Sequence, residues 1–231
     1  LKILINMKEA NTFKLVKDYF DKIKIDFWIE AGTALGIYRD GQILPWDHDI
    51  DIGVIESNIN RKVLPLILKK KGFKQIKKTF LRNDGMMKFI KKGGREVDIN
   101  FYRINKKNKT VFVKWYIPRN FFMKIIDALS FAKSYRGKSH KLINIFAFSE
   151  KFFLFIKKIL VENGFFYSHA GYSHNIKYAF QLKRYYFFGL KLSIPKDYND
   201  YLKDLYGSNW RIPMKKYNWI IHSPSTIKFN K

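Results

Sequence analysis

The run Trp46-Asp47-His48-Asp49-Ile50-Asp51-Ile52-Gly53 constrains this chain more than any other stretch. Charged and apolar residues alternate in it with period two. It therefore reads as a β-strand over Asp49 to Val54, with one buried face and one acidic face. Residues two apart on a strand project the same way, which sets Asp49 and Asp51 side by side. Asp47 shares their parity but stands where the strand begins, and His48 alternates to the opposite face, where a structural role is expected. Neighbouring carboxylates repel, and burying them uncompensated is costly. A divalent cation removes that cost, and Mg²⁺ favours such hard oxygen ligands together with substrate phosphate.

Two further features give this run a context. Arg95-Glu96-Val97-Asp98-Ile99-Asn100 places an acid in another β-forming stretch. Paired beside the first strand, it would bring Asp98 to Asp49 and Asp51 as a three-carboxylate cluster for one or two ions. Two ions could clamp both oxygens of an in-line phosphoryl displacement. Upstream, Gly32-Thr33-Ala34-Leu35-Gly36 sets a glycine and a hydroxyl at a strand-to-helix turn, where backbone N–H groups can cradle phosphate. Each part alone is ordinary, since Gly-Thr is often a plain turn and Asp-x-Asp a solvated strand edge. The order of strand, Gly-Thr turn, short helix, acidic strand and distant acidic strand is what makes the set specific.

The spacing of apolar residues predicts a helix over 7–24, a strand over 26–31, and a short helix over 34–38 with Thr33 near its N-cap. Asp40-Gly41 is a turn. A helix over 58–71 is expected to kink or break at Pro65 and to end at Gly72. Strands follow over 73–80, 86–91 and 96–102, joined by turns at Asp84-Gly85 and Gly93-Gly94, with another over 111–117. After Pro118 the texture changes to helices over 121–135 and 150–162 with wide aromatic faces and Lys edges. Residues 163–172 read as loop, 187–194 as a strand, and 195–206 as a last helix ended by Gly207.

The formal net charge is +26, from 45 Lys and Arg against 19 Asp and Glu, and residues 99–196 alone hold 19 bases and 3 acids. Such a field concentrates anions, although abundant Lys, Ile, Asn and Phe together also mark an AT-rich genome. Only 9 of the bases are Arg, the residue for bidentate phosphate and base-edge recognition, so nucleic acid is not the expected partner. Absence of Cys excludes a disulfide scaffold, a thiolate metal site and a Cys nucleophile, and suits a reducing compartment. Aromatic residues at 18% exclude a disordered basic tail. Leu142 to Leu160, the most apolar stretch, is interrupted by Glu150, Lys151, Lys157 and Lys158 and does not read as a membrane span. No signal peptide is expected from the first residues.

Residues 27–54, FWIEAGTALGIYRDGQILPWDHDIDIGV, closely resemble the signature of the LicD/fukutin family. Gly32, Thr33, Leu35, Gly36, Arg39, Pro45, Trp46, Asp47, Asp49, Asp51 and Gly53 occupy matching positions. Val97-Asp98-Ile99 resembles the family's later acidic strand, and residues 192–213 its C-terminal signature. Leu44 replaces the usual Ile, and Ala31 stands where many members have Gly. The stretch 105–185 does not align, and the cysteine zinc site of some members is absent.

The resemblance implies an α+β fold: a nucleotidyltransferase-like mixed β-sheet flanked by helices, with a helical basic and aromatic insertion and a C-terminal helix. Residues 1–117 would form the catalytic core. Residues 118–231 would add the helical region and the C-terminal motif, packed on the core as one compact unit. It also implies metal-dependent transfer of a phospho-alcohol, such as phosphocholine, ribitol phosphate or glycerol phosphate, from a CDP-activated donor to a glycan hydroxyl, releasing CMP. Asp49, Asp51 and Asp98 would hold Mg²⁺ or Mn²⁺, with Asp98 also orienting or deprotonating the acceptor hydroxyl. Gly32 and Thr33 would meet phosphate, with Asp47 beside them. Arg39 would either offset charge on the leaving CMP or pair with Asp40 or Asp47. Tyr206, Gly207 and Trp210 are expected to serve packing.

The basic aromatic helices fit two arrangements, a lid over the sheet or a surface lying on an anionic membrane that carries a lipid-linked acceptor. A cytoplasmic location is expected, and the second of these arrangements would set the protein on the inner face of a membrane. Competing readings are a nucleotidyltransferase moving NMP from an NTP to RNA, protein or a small molecule, and a non-catalytic RNA- or membrane-binding protein. The I-P-W-D-like and Y-G-x-x-W features argue against the first, and the intact acid set argues against the second.

Overall fold

The computed structural model describes residues 2–76, 85–135, 139–165, 167–214 and 217–229. In chain order the elements are α1 (Lys2–Lys22), β1 (Phe27–Ile29), α2 (Ala31–Asp40), β2 (Asp49–Ile55), α3 (Leu64–Lys70), β3 (Phe73–Ile76), β4 (Met86–Lys91), β5 (Glu96–Asn105) and β6 (Thr110–Pro118). They continue with α4 (Phe121–Leu129), α5 (His140–Ile145), α6 (Glu150–Glu162), β7 (Tyr167–Asn175), α7 (Lys177–Phe180), β8 (Leu182–Phe187), β9 (Leu190–Pro195), α8 (Tyr198–Tyr206), α9 (Trp219–His222) and β10 (Thr226–Phe229). The architecture is α+β, a mixed sheet flanked by helices. One unit comprises residues 1–75, 85–113 and 171–227, and a second comprises 76–84, 114–170 and 228–231. Residues 171–227 thus cluster with the N-terminal elements.

In the first unit β2 lies between β1, which runs antiparallel to it, and β5, which runs parallel. On its other side β5 pairs antiparallel with β4, and β3 pairs with β4. The last residues of β5 pair with β6, Arg103 opposite Phe112. Ile50, Ile52, Val54, Val97, Ile99, Phe101 and Phe89 alternate onto one face and are buried there. They join Phe13, Val16 and Phe20 of α1, Leu64 and Leu68 of α3, and Leu202 and Leu205 of α8 in a single apolar core. The α1 positions follow helical spacing, which gives that helix one apolar stripe. Burying such a side chain contributes about 1.5–3 kcal/mol. The opposite sheet face carries the acids.

Several boundaries differ from the sequence expectation, each for a local reason. Helix α2 begins at Ala31, so Gly32 and Thr33 stand in its first turn instead of before it. Ala31 takes φ 47°, the left-handed region in which a Cβ is strained. Helix α3 is shorter than the expected 58–71. Pro65 opens it and does not kink it, because its missing N–H costs nothing in a first turn. Strand β7 occupies much of the expected loop over 163–172. The expected strand over 187–194 is a hairpin of β8 and β9. Its turn residues Phe188 and Gly189 have φ 50° and 71°, the pair of positive angles that a tight hairpin requires. The last helix does end at Gly207. The expected turn residue Asp84 and strand residues 77–80 lie outside the described residues.

The second unit has its own small core. Ile126 of α4 packs against Met123 and against Phe153, Ile156, Leu160 and Val161 of α6. Lys157 is buried among them, with its ammonium 2.6 Å from Asp127 and over the Phe131 ring. The outward faces leave Phe148 at 82% and Phe121 at 77% exposure, with Phe122, Phe152 and Phe155 also exposed. Among the described residues no helix is long and apolar enough to cross a membrane.

Two substitutions test this account. Ala31→Gly removes the left-handed strain and is expected to stabilise the protein by about 1 kcal/mol. Gly53→Ala would set a Cβ 2.2 Å from the Trp28 ring, and is expected to cost about 1–3 kcal/mol. Urea unfolding midpoints read both, and a loss of stability in Ala31→Gly would refute the strain.

Candidate active site

Strand register assembles an ionic row across three strands. Asp51 of β2 stands opposite Asp98 of β5, and Asp98 stands opposite Lys88 of β4. Asp49 likewise stands opposite Glu96. The Lys88 ammonium lies 2.8 Å from Asp98 Oδ2, 2.9 Å from Glu96 Oε2 and 3.1 Å from Asp49 Oδ2. It is only 7% exposed. Burial works against its charge, but Asp98 and Asp49 outweigh burial and hold its pKa above the ordinary lysine range.

Asp47 reaches the same face from the turn that precedes β2. Carboxylate oxygens of Asp47, Asp49 and Asp51 lie within 4.8 Å of one another, a set of hard donors that fits a divalent ion. Gly32 makes this approach possible, because a Cβ there would sit 2.3 Å from Asp47 Oδ2. The His48 N–H donates to Asp47 Oδ1 at 3.1 Å. The Arg95 guanidinium donates to the Asp47 carbonyl. Thr33 is fully buried, and its hydroxyl accepts the Asp51 N–H at 2.8 Å, so it fixes the strand that carries the acids. Burial, then the shared hydrogen bond and charge of Asp49, push Asp47 up to about 8. Burial and the charges of Asp49, Asp98, Asp47 and Glu30 push Asp51 well above the carboxylate range.

Beneath the acids lies a second buried polar layer that sequence reading missed. Asn100 Nδ2 donates to Glu30 Oε1 at 2.7 Å, and burial raises Glu30 to about 7 against the pull of its hydrogen bonds. The Ala31 N–H donates to the Tyr201 hydroxyl at 3.0 Å, tying α8 to the start of α2. Tyr198 of α8 stacks on Tyr38 of α2 at 3.8 Å. Further along β7, His174 Nδ1 lies 2.8 Å from Asp204.

A cavity of about 310 Å³ opens beside Asp47 and Gly32, lined also by Arg39, Trp46, Tyr206 and Trp210. Tyr206 and Trp210, expected to serve packing, do pack in and against the core and also form part of the cavity wall. The Arg39 guanidinium is held by Asp40 at 2.8 and 2.9 Å, the ion pair that was one of its two expected roles. Trp46 is 59% exposed at the rim. The structure thus brings Gly32, Arg39 and Asp47 together around one opening, and Asp49 and Asp51 meet Asp47 in the carboxylate cluster beside it. Asp98 lies one strand further over, on Lys88. Lys88 and Glu96 carried no sequence signal beyond their place in strands, and only the β4–β5 register exposes their role.

The LicD/FKTN/FKRP nucleotidyltransferase-domain family matches residues 24–137, the segment that holds all five of those residues and Asp98. A ribitol-5-phosphate transferase FKTN from Macaca fascicularis is 24% identical over 220 residues, covering 94% of this chain and 36% of that protein. An uncharacterised protein of Rickettsia typhi is 32% identical over 121 residues, covering 50% of this chain and 36% of its own length. The chain spans about a third of the length of these curated relatives. Among solved structures, the lincosamide antibiotic adenylyltransferase LnuA aligns at 12% identity and a TM-score of 0.41, over 80% of this chain and 78% of that one.

The Asp47 shift has a definite sign. Its folded pKa is raised from 3.8 to about 8, so the folded state keeps a proton that the unfolded chain releases. Between those values its contribution to the stability of the ion-free protein falls as pH rises. A divalent ion must displace the proton, so Mn²⁺ affinity should climb from pH 6 to pH 8, by up to about tenfold per unit. Calorimetry in buffers of differing ionisation heat reads the released proton. Asp47→Asn should flatten the profile, and an unchanged profile in that variant would remove Asp47 from the ion's ligands.

Proposed function

The chain belongs to the LicD/FKTN/FKRP family, and from that premise we propose that it transfers a phospho-alcohol from a CDP-activated donor to a glycan hydroxyl. The observation that carries this reading is the meeting of Asp47, Asp49 and Asp51 beside an aromatic-walled cavity, inside the family-matched segment. The reaction joins the acceptor hydroxyl oxygen to the phosphorus that bears the alcohol and breaks the bond from that phosphorus to the bridging oxygen. CMP leaves with the electron pair, and the hydroxyl proton passes to a site carboxylate. Bound Mg²⁺ or Mn²⁺ would supply positive charge against the pyrophosphate. Asp47, Asp49 and Asp51 are the residues to hold it, and Asp98 faces the same site as the group that orients the acceptor hydroxyl. Gly32 lies in the first turn of α2, where the helix dipole favours phosphate. Arg39, already fixed by Asp40, offsets charge on the departing CMP.

We further propose that the exposed rings of α4 and α6, and Phe148 between them, rest on an anionic membrane that presents a lipid-linked acceptor. Lys124, Lys133, Lys141, Lys151 and Lys158, in the same stretch of chain as those rings, are exposed as well. Each lysine near such a surface contributes about 1 kcal/mol, which matches the chemistry of acidic headgroups.

Two experiments test these readings. Incubation with a panel of CDP-alcohols and Mn²⁺ should release CMP with one donor, and Asp49→Asn should lower that rate at least about 100-fold with folding retained. Pyrophosphate released from an NTP instead would replace the reading with nucleotidyl transfer. In flotation, vesicles with acidic lipids should carry the protein, neutral ones should not, and about 0.5 M salt should strip most of it. Phe148→Ser with Phe152→Ser should weaken capture severalfold; no capture at low salt would end the membrane proposal.

A further inference from the structure

The transfer reading gives Lys88 no role. An ammonium has three N–H donors and accepts nothing. All three of its nearest carboxylates, on Asp98, Glu96 and Asp49, lie between 2.8 and 3.1 Å from it. A lysine flexible enough to reach solvent is held instead with 7% exposure. Its position follows from register, because β4 places it directly across from Asp98 on the row that continues to Asp51. The acids therefore divide into two groups. Asp47, Asp49 and Asp51 converge on one side, and Asp49, Glu96 and Asp98 close on the ammonium on the other.

In a two-ion site the ions stand about 3.5–4 Å apart and share a bridging carboxylate. The acid common to both groups here is Asp49, and its Oδ2 is already engaged by Lys88. An ammonium at hydrogen-bonding distance from Asp49 and Asp98 fills the space that a second ion would need. We propose that Lys88 is a built-in second cation: the site takes a single divalent ion, on Asp47, Asp49 and Asp51, and Lys88 supplies fixed charge where other such sites place another. This rests on the divalent-ion reading of the site and deepens it. Lys88 is on this view a positioning residue for Asp49 and Asp98. Asp98 serves as its counter-ion and does not ligate the metal.

The test counts ions and does not depend on turnover. Mn²⁺ is titrated into the full chain, and the free ion is followed by electron paramagnetic resonance. One ion per chain is expected for the wild type, rising to two in Lys88→Gln and returning to one in Lys88→Arg, which keeps the charge. Circular dichroism checks that each variant is folded. Two ions in the wild type would overturn the inference and leave the divalent site standing, a result that needs no variant to fold. One ion in a folded Lys88→Gln would also overturn it. No bound ion in the wild type would overturn the divalent reading itself, and this inference with it.

Discussion

Repulsion among carboxylates is the constraint on which the rest of this structure turns. Asp47, Asp49, Asp51, Glu96 and Asp98 crowd one end of two neighbouring strands. A like-charged pair about 4 Å apart costs about 4 kcal/mol even at an effective dielectric near 20. A few such pairs would consume the whole of an ordinary folding free energy of about 5–15 kcal/mol. The folded chain meets this in two ways that the geometry makes plain. Lys88 neutralises the β5 side through three close contacts. On the other side burial and mutual repulsion raise Asp47 to about 8 and raise Asp51 as well, so each holds its proton more tightly than a free carboxylate and a divalent ion can displace it.

The remainder of the first unit holds that arrangement still. The apolar face of the sheet is sealed by α1, α3 and α8, so the acidic strands cannot slip by one residue without turning isoleucines outward. Close approaches replace ordinary side chains at two glycines: Gly32 admits the Asp47 carboxylate, and Gly53 admits the Trp28 ring. Helix α8, far away in sequence, reaches the same place through the Tyr201 hydroxyl on the Ala31 N–H and the stack of Tyr198 on Tyr38. That is why two signatures at opposite ends of the chain belong to one site. The C-terminal one both braces α2 and completes the cavity wall with Tyr206 and Trp210.

What the sequence made legible was what depends on local periodicity. The alternation in β2 and the helical spacing of α6 need no partner to be read, and Asp49, Asp51 and the pairing strand of Asp98 follow from them. What depends on register was hidden. Lys88 is one lysine among 36, and nothing near it in sequence distinguishes it from a solvated strand residue until β4 is set against β5. Glu30 reads from the sequence as part of a strand, yet it is a buried acid at the N-cap position of α2 whose carboxylate makes no cap bond and instead accepts from Asn100. Ala31 hid a helix start, because a left-handed angle at a non-glycine residue leaves no compositional trace. Pro65 was ambiguous for the same reason: the residue permits either a first turn or a kink, and tertiary packing decides.

The sign of the charge raises a last physical point. A chain of net charge +26 draws anions towards it, but the face that carries Asp47, Asp49, Asp51, Glu96 and Asp98 is locally acidic. Long-range attraction and short-range repulsion therefore oppose each other. The first is screened beyond about 8–10 Å in physiological salt, so it governs encounter and not seating. Seating then depends on charge within the site, where Lys88 is fixed, Arg39 is fixed by Asp40, and a divalent ion would complete the balance. An acidic site on a basic protein would in that sense be a gate: anions are gathered without discrimination, and a cation bound among the aspartates would let one of them settle against the acids.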